Sequence, residues 1–316
     1  MKKGLIIRST GSWYELIDQE TNNKYSCRTA GKMKLLKKDL SNPIGVGDFV
    51  EFEPESENQG IIHKIEPRKN YIVRQSPKNK HQLHLIAANI DLAVLVTTLI
   101  QPTFKPGFID RFLITTEPQN IPVLIVFNKS DLWKESEFQL FEDCKSIYRH
   151  ITAGLLEVST VTLKNIELLK KNLLGKTCLV AGQSGVGKSS LLNVLQPGIG
   201  LRTSDISSSS GKGTHTTTFA EMFILEDGSR VIDTPGIKSL SFNNLEIMDV
   251  AHNFKEFFET SVGCRFGSKC THRNEPECAV KMAIESGHIS FQRYQNYINL
   301  IDEIESQNYW ERNKKF

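Results

Sequence analysis

Residues 182–189 of this 316-residue chain read Gly182-Gln183-Ser184-Gly185-Val186-Gly187-Lys188-Ser189, which fits G-x-x-x-x-G-K-[ST] at every fixed position. The pattern demands a strand, a tight glycine turn and a helix, because only that arrangement points successive N–H groups at a phosphate. The context agrees. An apolar strand is expected over residues 177–181. An apolar helix carrying Leu191, Leu192, Val194 and Leu195 is expected to follow and to stop at Pro197. The helix N-terminus aims its positive dipole end at the same place. Lys188 would neutralise β/γ-phosphate oxygens, the Ser189 hydroxyl would ligate Mg²⁺, and Ser190 follows in the first turn.

A P-loop does not choose its base. Asn128-Lys129-Ser130-Asp131, placed after an apolar strand at 122–127, supplies that choice. A carboxylate such as Asp131 accepts from both N1–H and the 2-amino group of guanine, and adenine lacks that donor pair. Lys129 can lie along the base and Asn128 can pin the loop. Ser159-Thr160 ends the next strand, where a backbone N–H can meet the guanine O6. Asp233-Thr234-Pro235-Gly236 ends a later one. Asp233 would hold Mg²⁺ through water, and the Gly236 N–H would hold the γ-phosphate. In ordinary GTPases the base-reading motifs come last. Here they precede the P-loop, so the set is complete but cyclically shifted. The segment after Gly236 then leads straight into the C-terminal residues, which can pass on a γ-phosphate-dependent shift.

The rest of the chain divides around this unit. Before residue 70, short strands are expected at 4–8, 12–17, 24–28, 48–53 and 61–65, separated by Gly, Asn, Asp and Pro. About five short strands in about 65 residues predict a small β-barrel, most simply an OB-fold. Lys32, Lys34, Lys37 and Lys38 are expected on a loop between strands. Residues 1–80 carry 15 Lys/Arg against 10 Asp/Glu although the net charge is only +3, so the basic surplus is N-terminal. Either a polyanion contact or a solvated basic face accounts for it. After about residue 243 strands cease. A helix is expected over 245–258, and Phe291, Tyr294, Ile298, Ile301 and Ile304 recur at helical spacing as core. The expected units are therefore 1–70, an OB-fold β-barrel; 71–242, an α/β P-loop domain with permuted motifs; and 243–316, a mainly helical unit. No apolar stretch approaches the roughly 20 residues of a membrane helix. The N-terminal residues do not form a secretory signal. A soluble cytoplasmic chain with no membrane partner is expected.

Of six cysteines, Cys27, Cys144 and Cys178 are scattered and are expected to be buried apolar residues. Cys264-x5-Cys270-x-His272-x5-Cys278 is different. Three thiolates and one imidazole, with no position left open, suit a structural tetrahedral Zn²⁺; the competing reading is buried free thiols. The basic neighbours Arg265, Lys269 and Arg273 can meet phosphates there.

Taken together, the barrel, Gly107-Phe108-Ile109-Asp110-Arg111-Phe112, Asn128–Asp131, Gly182–Ser190, Gly213-Thr214-His215-Thr216-Thr217-Thr218, Asp233–Gly236 and the Cys/His set resemble the circularly permuted, small-subunit-dependent GTPases of the RsgA/YjeQ/YloQ family. The resemblance covers nearly the whole chain. It implies a late maturation factor for the small ribosomal subunit, a monomer that binds rRNA through its barrel and zinc unit. Lys32, Lys34, Lys37 and Lys38 are candidate rRNA contacts. The subunit would stimulate GTP hydrolysis, and conversion to GDP would allow release. Family alignment selects Thr217 for Mg²⁺, with Thr216 and Thr218 as alternatives. Ile237 follows the D-x-x-G where many GTPases place a water-orienting glutamine, so His215 is the candidate for that task. Gly185 stands where some relatives carry a K⁺-holding asparagine, so a K⁺ mechanism is not expected. Two other classes compete: a nucleotide-gated RNA-binding adaptor with negligible catalysis, and a metabolic P-loop kinase or ATPase. Asn128–Asp131 argues against the last.

Overall fold

The first strands close on themselves. In the computed structural model, β1 (Lys2–Ser9), β2 (Tyr14–Asp18) and β3 (Lys24–Thr29) form an antiparallel meander. After a short β4 (Leu40–Asn42), β5 (Phe49–Pro54) and β6 (Gln59–Ile65) form a hairpin. Strand β6 runs parallel to β3, and β5 returns antiparallel to β1. The circuit β1-β2-β3-β6-β5-β1 is the five-stranded barrel expected of an OB-fold, and it leaves no open edge. Alternate residues fill it: Ile6, Tyr14, Leu16, Cys27, Val50, Phe52 and Ile62 are all buried. The structure describes residues 1–31, 40–75, 83–201, 220–234 and 245–312. Lys32, Lys34, Lys37 and Lys38 lie outside the described residues.

Like β4, the strands β7 (Tyr71–Gln75) and β8 (Leu83–Ala88) are not announced by the sequence; they pair antiparallel and join β4 in a small second sheet. They connect the barrel to the central sheet. There β9 (Leu92–Thr97), β10 (Val123–Phe127), β11 (Gly154–Glu157), β12 (Thr177–Gly182), β13 (Glu221–Ile224) and β14 (Arg230–Asp233) stand in the order β11-β10-β9-β12-β14-β13. All neighbours are parallel except the β13–β14 hairpin.

Helices cover both faces, which is why the central strands read as unbroken apolar runs. Leu92, Val94 and Val96 pack towards α3 (Ile166–Leu173) and α4 (Lys188–Leu195). Ala93 and Leu95 pack towards α1 (Pro106–Thr116) and α2 (Glu135–Tyr148). Strand β13 also pairs with barrel strand β1 through Arg8 and Glu221, so barrel and central sheet share hydrogen bonds.

The helix expected over 245–258 is two helices. Phe254 takes an extended ψ of 93° and separates α5 (Ile247–Asn253) from α6 (Lys255–Thr260). Neither Gly nor Pro marks the break; burial of both Phe254 and Phe257 in the C-terminal core accompanies it. Helices α7 (Ala279–Glu285) and α8 (Phe291–Arg312) complete this unit. Phe291, expected in the core stripe of α8, is 67% exposed because it opens the helix beyond the packing face. Ile301 and Ile304 are buried as expected, joined by Tyr297 and Leu300. Cys27, Cys144 and Cys178 are buried, and burial pushes each thiol up to about 12.

Candidate nucleotide site and metal cluster

Parallel α/β sheets place their sites at the C-terminal strand ends, and the motifs are there. β12 ends at Gly182 beside Val96 at the end of β9, and an added Cβ on Gly182 would come within 2.2 Å of the Val96 carbonyl oxygen. Only glycine fits. The loop then turns through left-handed Gly185 (φ 83°) and Gly187 (φ 91°) into α4. A Cβ on Gly187 would sit 2.4 Å from Asn128 Nδ2, so that glycine lets the base-reading loop and the P-loop touch.

They do touch. Asn128 Nδ2 donates to the Val186 carbonyl at 2.9 Å, across 58 residues of chain. Lys129 Nζ donates to the Gly185 carbonyl and to the Gln101 carbonyl, each at 2.8 Å. Lys188 Nζ curls back on the Gly182 and Gln183 carbonyls at 2.8 Å, a position that an incoming phosphate would compete for. The loop 128–131 rests on neighbouring strand ends: Asn128 N donates to Thr97 O, and Ser130 N to Val158 O. Ser159 Oγ donates to Asp131 Oδ1 at 2.5 Å and accepts from the N–H groups of Val161 and Thr162. Asp131 and the half-buried Thr160 thus sit on one loop pair, next to the Asn128 and Lys129 contacts with the P-loop. Ser184 lies exposed on the loop, and Ser189 and Ser190 are half-buried in the first turn of α4.

Asp233 ends β14 next to β12, in register with Val180. Its Oδ1 is buried with no hydrogen-bond partner among the described residues. Burial pushes its carboxyl up to about 6, against the pull of Lys188. A buried, unsatisfied carboxylate beside a phosphate loop fits a divalent cation held through water. Between the unfolded value near 3.8 and 6, the folded chain keeps a proton that the unfolded chain has lost. Stability therefore falls as pH rises through that window, and at neutral pH the cost is on the order of 3 kcal/mol. Asp233→Asn is expected to stabilise the nucleotide-free protein by about 1–3 kcal/mol at pH 7 and by little at pH 4, as read by denaturant midpoints. The same change is expected to weaken Mg²⁺-dependent GTP binding.

Thr234 Oγ1 donates to the Val180 carbonyl and fixes the end of β14. His215, Thr216, Thr217, Thr218, Gly236 and Ile237 lie outside the described residues.

The second cluster is in the C-terminal unit. One ligand atom each from Cys264, Cys270, His272 and Cys278 lies within 4.8 Å of the others, and all four residues are buried. The Sγ atoms of Cys264 and Cys270 are each 3.8 Å from Cys278 Sγ. His272 Nδ1 is 3.7 Å from Cys264 Sγ and 3.4 Å from Cys278 Sγ. Tetrahedral zinc bound at about 2.3 Å to sulfur and about 2.0 Å to nitrogen requires S···S near 3.8 Å and S···N near 3.5 Å. Four of the cluster's six edges are close to those lengths, and none exceeds 4.8 Å. Burial pushes His272 down to about 4, which keeps the imidazole neutral and able to ligate. Burial also pushes the Cys270 thiol up to about 12, so a cation is what would make it a thiolate. Of the basic neighbours, Arg273 is committed to Glu305 and Arg265 leans on Glu277.

The sheet order, the phosphate loop and the base-reading loop touching it define a P-loop GTPase fold with circularly permuted motifs. The RsgA GTPase family model matches residues 65–243, and the RsgA N-terminal domain model matches residues 3–62. The chain belongs to the RsgA GTPase family. It is 41% identical over 307 residues to the small ribosomal subunit biogenesis GTPase RsgA of Phocaeicola vulgatus, covering 97% of this chain and 98% of that one. It is 40% identical over 307 residues to RsgA 2 of Bacteroides thetaiotaomicron, with the same coverage. Its structure matches that of YjeQ from Thermotoga maritima with a TM-score of 0.78 at 34% identity, covering 96% of this chain and 98% of that one. It also matches YloQ, a circularly permuted GTPase, with a TM-score of 0.74 at 29% identity, covering 97% and 96%.

Proposed function

We propose that the chain is a GTPase acting in biogenesis of the small ribosomal subunit, binding its rRNA and leaving when GTP becomes GDP. The observation that carries the guanine reading is the contact between the two motifs: Asn128 and Lys129 hydrogen-bond the very carbonyls of Val186 and Gly185 in the P-loop. The two loops are thereby close enough for one nucleotide to reach from Asp131 to Lys188. The names of the relatives, small ribosomal subunit biogenesis GTPases, support the small subunit as partner.

The roles follow from chemistry. Asp131, with Lys129, Asn128, Ser159 and Thr160, would read the base. The amides of Gly182, Gln183, Ser184, Gly185, Val186 and Gly187, with Lys188, would cradle the phosphates. Ser189, Asp233 and Thr217 would surround Mg²⁺, which withdraws charge from the β/γ-phosphate oxygens when bound. Gly236 would meet the γ-phosphate, and His215 would orient the attacking water on the subunit. Cys264, Cys270, His272 and Cys278 would hold one structural Zn²⁺. The working units are 1–70, 71–242 and 243–316, in a cytoplasmic monomer. No described helix is long and apolar enough to cross a membrane.

GTP turnover measured with and without purified small subunits tests this reading. Strong stimulation is expected from slow basal turnover. Tight GTP binding with no turnover under either condition would favour a nucleotide-gated RNA-binding adaptor. His215→Ala is expected to cut stimulated turnover by about 10²-fold or more while GTP affinity changes little. A near-normal stimulated rate would remove His215 from the mechanism.

A further inference from the structure

Gly107–Phe112 forms most of α1, yet nothing in the nucleotide site uses its charged residues. Asp110 is fully buried, and so, nearly, is Arg293 of α8, 183 residues further on. The Arg293 guanidinium bonds Asp110 through Nη1 and grips Glu256 of α6 with Nε and Nη2 at 2.6 and 2.8 Å. Its Cζ lies 4.3 Å from the centroid of the Phe254 ring. Asn296 Nδ2 takes the second oxygen of Asp110, and the neighbouring Arg111 pairs with Glu303. A buried charge survives only when its partners are held in place, so this joint fixes the register of α8 on the central domain.

A neighbouring face of α8 holds the metal loop. Tyr297 OH donates to the Thr271 carbonyl at 2.7 Å, and Tyr294 OH donates to the His272 carbonyl at 2.9 Å. Glu275 accepts from Thr271 N, Thr271 Oγ1 and Arg273 N, and Lys281 Nζ donates to the Arg273 carbonyl. Five backbone groups on residues 271–273 are therefore tied down around His272, which itself sits at a left-handed φ of 55°. Arg293 and Asn296 alternate along α8 with the two tyrosines, so shifting one pair must shift the other.

We propose that Asp110, a residue of the GTPase domain, is a remote positioning residue for the metal site. It sets α8 through Arg293 and Asn296, and α8 sets the ligand loop through Tyr294 and Tyr297. The inference rests on the reading of the Cys/His cluster as a zinc site. It gives the Gly107–Phe112 segment a purpose: metal binding and seating of the C-terminal unit on the GTPase domain become one event.

The test is the rate of Zn²⁺ transfer from the full-length protein to a chromogenic chelator, with Co²⁺ absorption reporting the ligand set. Tyr297→Phe is expected to speed release about 10- to 100-fold. Asp110→Asn is expected to speed it by about two- to thirtyfold, although it alters no group near the metal. The double variant is expected to release metal more slowly than the product of the two effects, because both act through one helix. Should Asp110→Asn fail to fold by circular dichroism, Asn296→Ala takes its place. Wild-type release rates in a folded Asp110→Asn or Asn296→Ala chain, or fully multiplicative effects, would overturn the inference alone. A wild-type chain that takes up neither Zn²⁺ nor Co²⁺ would overturn the zinc reading, and the inference with it.

Discussion

Asp131→Asn is expected to lower guanine-nucleotide affinity by about 10³- to 10⁵-fold and to raise affinity for xanthine nucleotides. The carboxylate accepts from two donors on the guanine edge. Asparagine keeps one acceptor and presents an N–H to the 2-amino group, which leaves two donors facing each other in a closed site. Xanthine carries a carbonyl at that position, so the pairing is restored. The loop itself should survive the change. Ser159 Oγ would still donate to the remaining oxygen, and Asn128 and Lys129 would keep their bonds to the P-loop carbonyls. Titration calorimetry with GDP, XDP and ADP reads all three affinities in one set. Unchanged GDP binding would mean that the base lies elsewhere.

The second large effect concerns the metal. Cys278→Ala, or removal of the ion by a strong chelator, is expected to unfold much of the C-terminal unit. Cys264, Cys270 and Cys278 are part of its hydrophobic core, packed with Phe257, Tyr297 and Leu300. Without the ion, three thiols and an imidazole are left buried in the middle of that core, and structural zinc supplies on the order of 10 kcal/mol or more of apparent binding free energy. The expected readouts are loss of one bound Zn²⁺ per chain, lower helical ellipticity, and rapid proteolysis within residues 245–312. The barrel and central sheet should still melt cooperatively, because their cores are separate clusters. A metal-free chain with the same protease resistance and melting curve would show that the thiols are merely buried.

Much of this was legible in the sequence because the chemistry is local. A P-loop needs its glycines and lysine in one short run. A base-reading carboxylate needs a strand end, and unbroken apolar runs announce strands buried on both faces. The closed barrel followed from turn residues and alternation, although its parallel β3–β6 pairing could be read only from the structure. What stayed hidden is long-range. Nothing near Asp110 in the sequence announces Arg293, since the pair is set by how α8 packs. Strands β7 and β8 flank residues 76–82 and bear no strong alternation, so the sequence gives no strand signal there. The break at Phe254 carries no Gly or Pro, so residues 245–258 read as one helix. The Gln101 carbonyl that receives Lys129 is a backbone group, and side-chain patterns do not register it.

The claim on which the rest depends is that a single nucleotide lies across Asp131 and Lys188. A crystal structure of the full chain with a non-hydrolysable GTP analogue and Mg²⁺ measures it directly. The expected result is the guanine edge on the Asp131 carboxylate and the β-phosphate within the amides of residues 182–187. Lys188 should have moved from the Gly182 and Gln183 carbonyls to phosphate oxygens. A bound analogue whose base makes no contact with residues 128–131, or whose phosphates lie away from Lys188, would contradict the account.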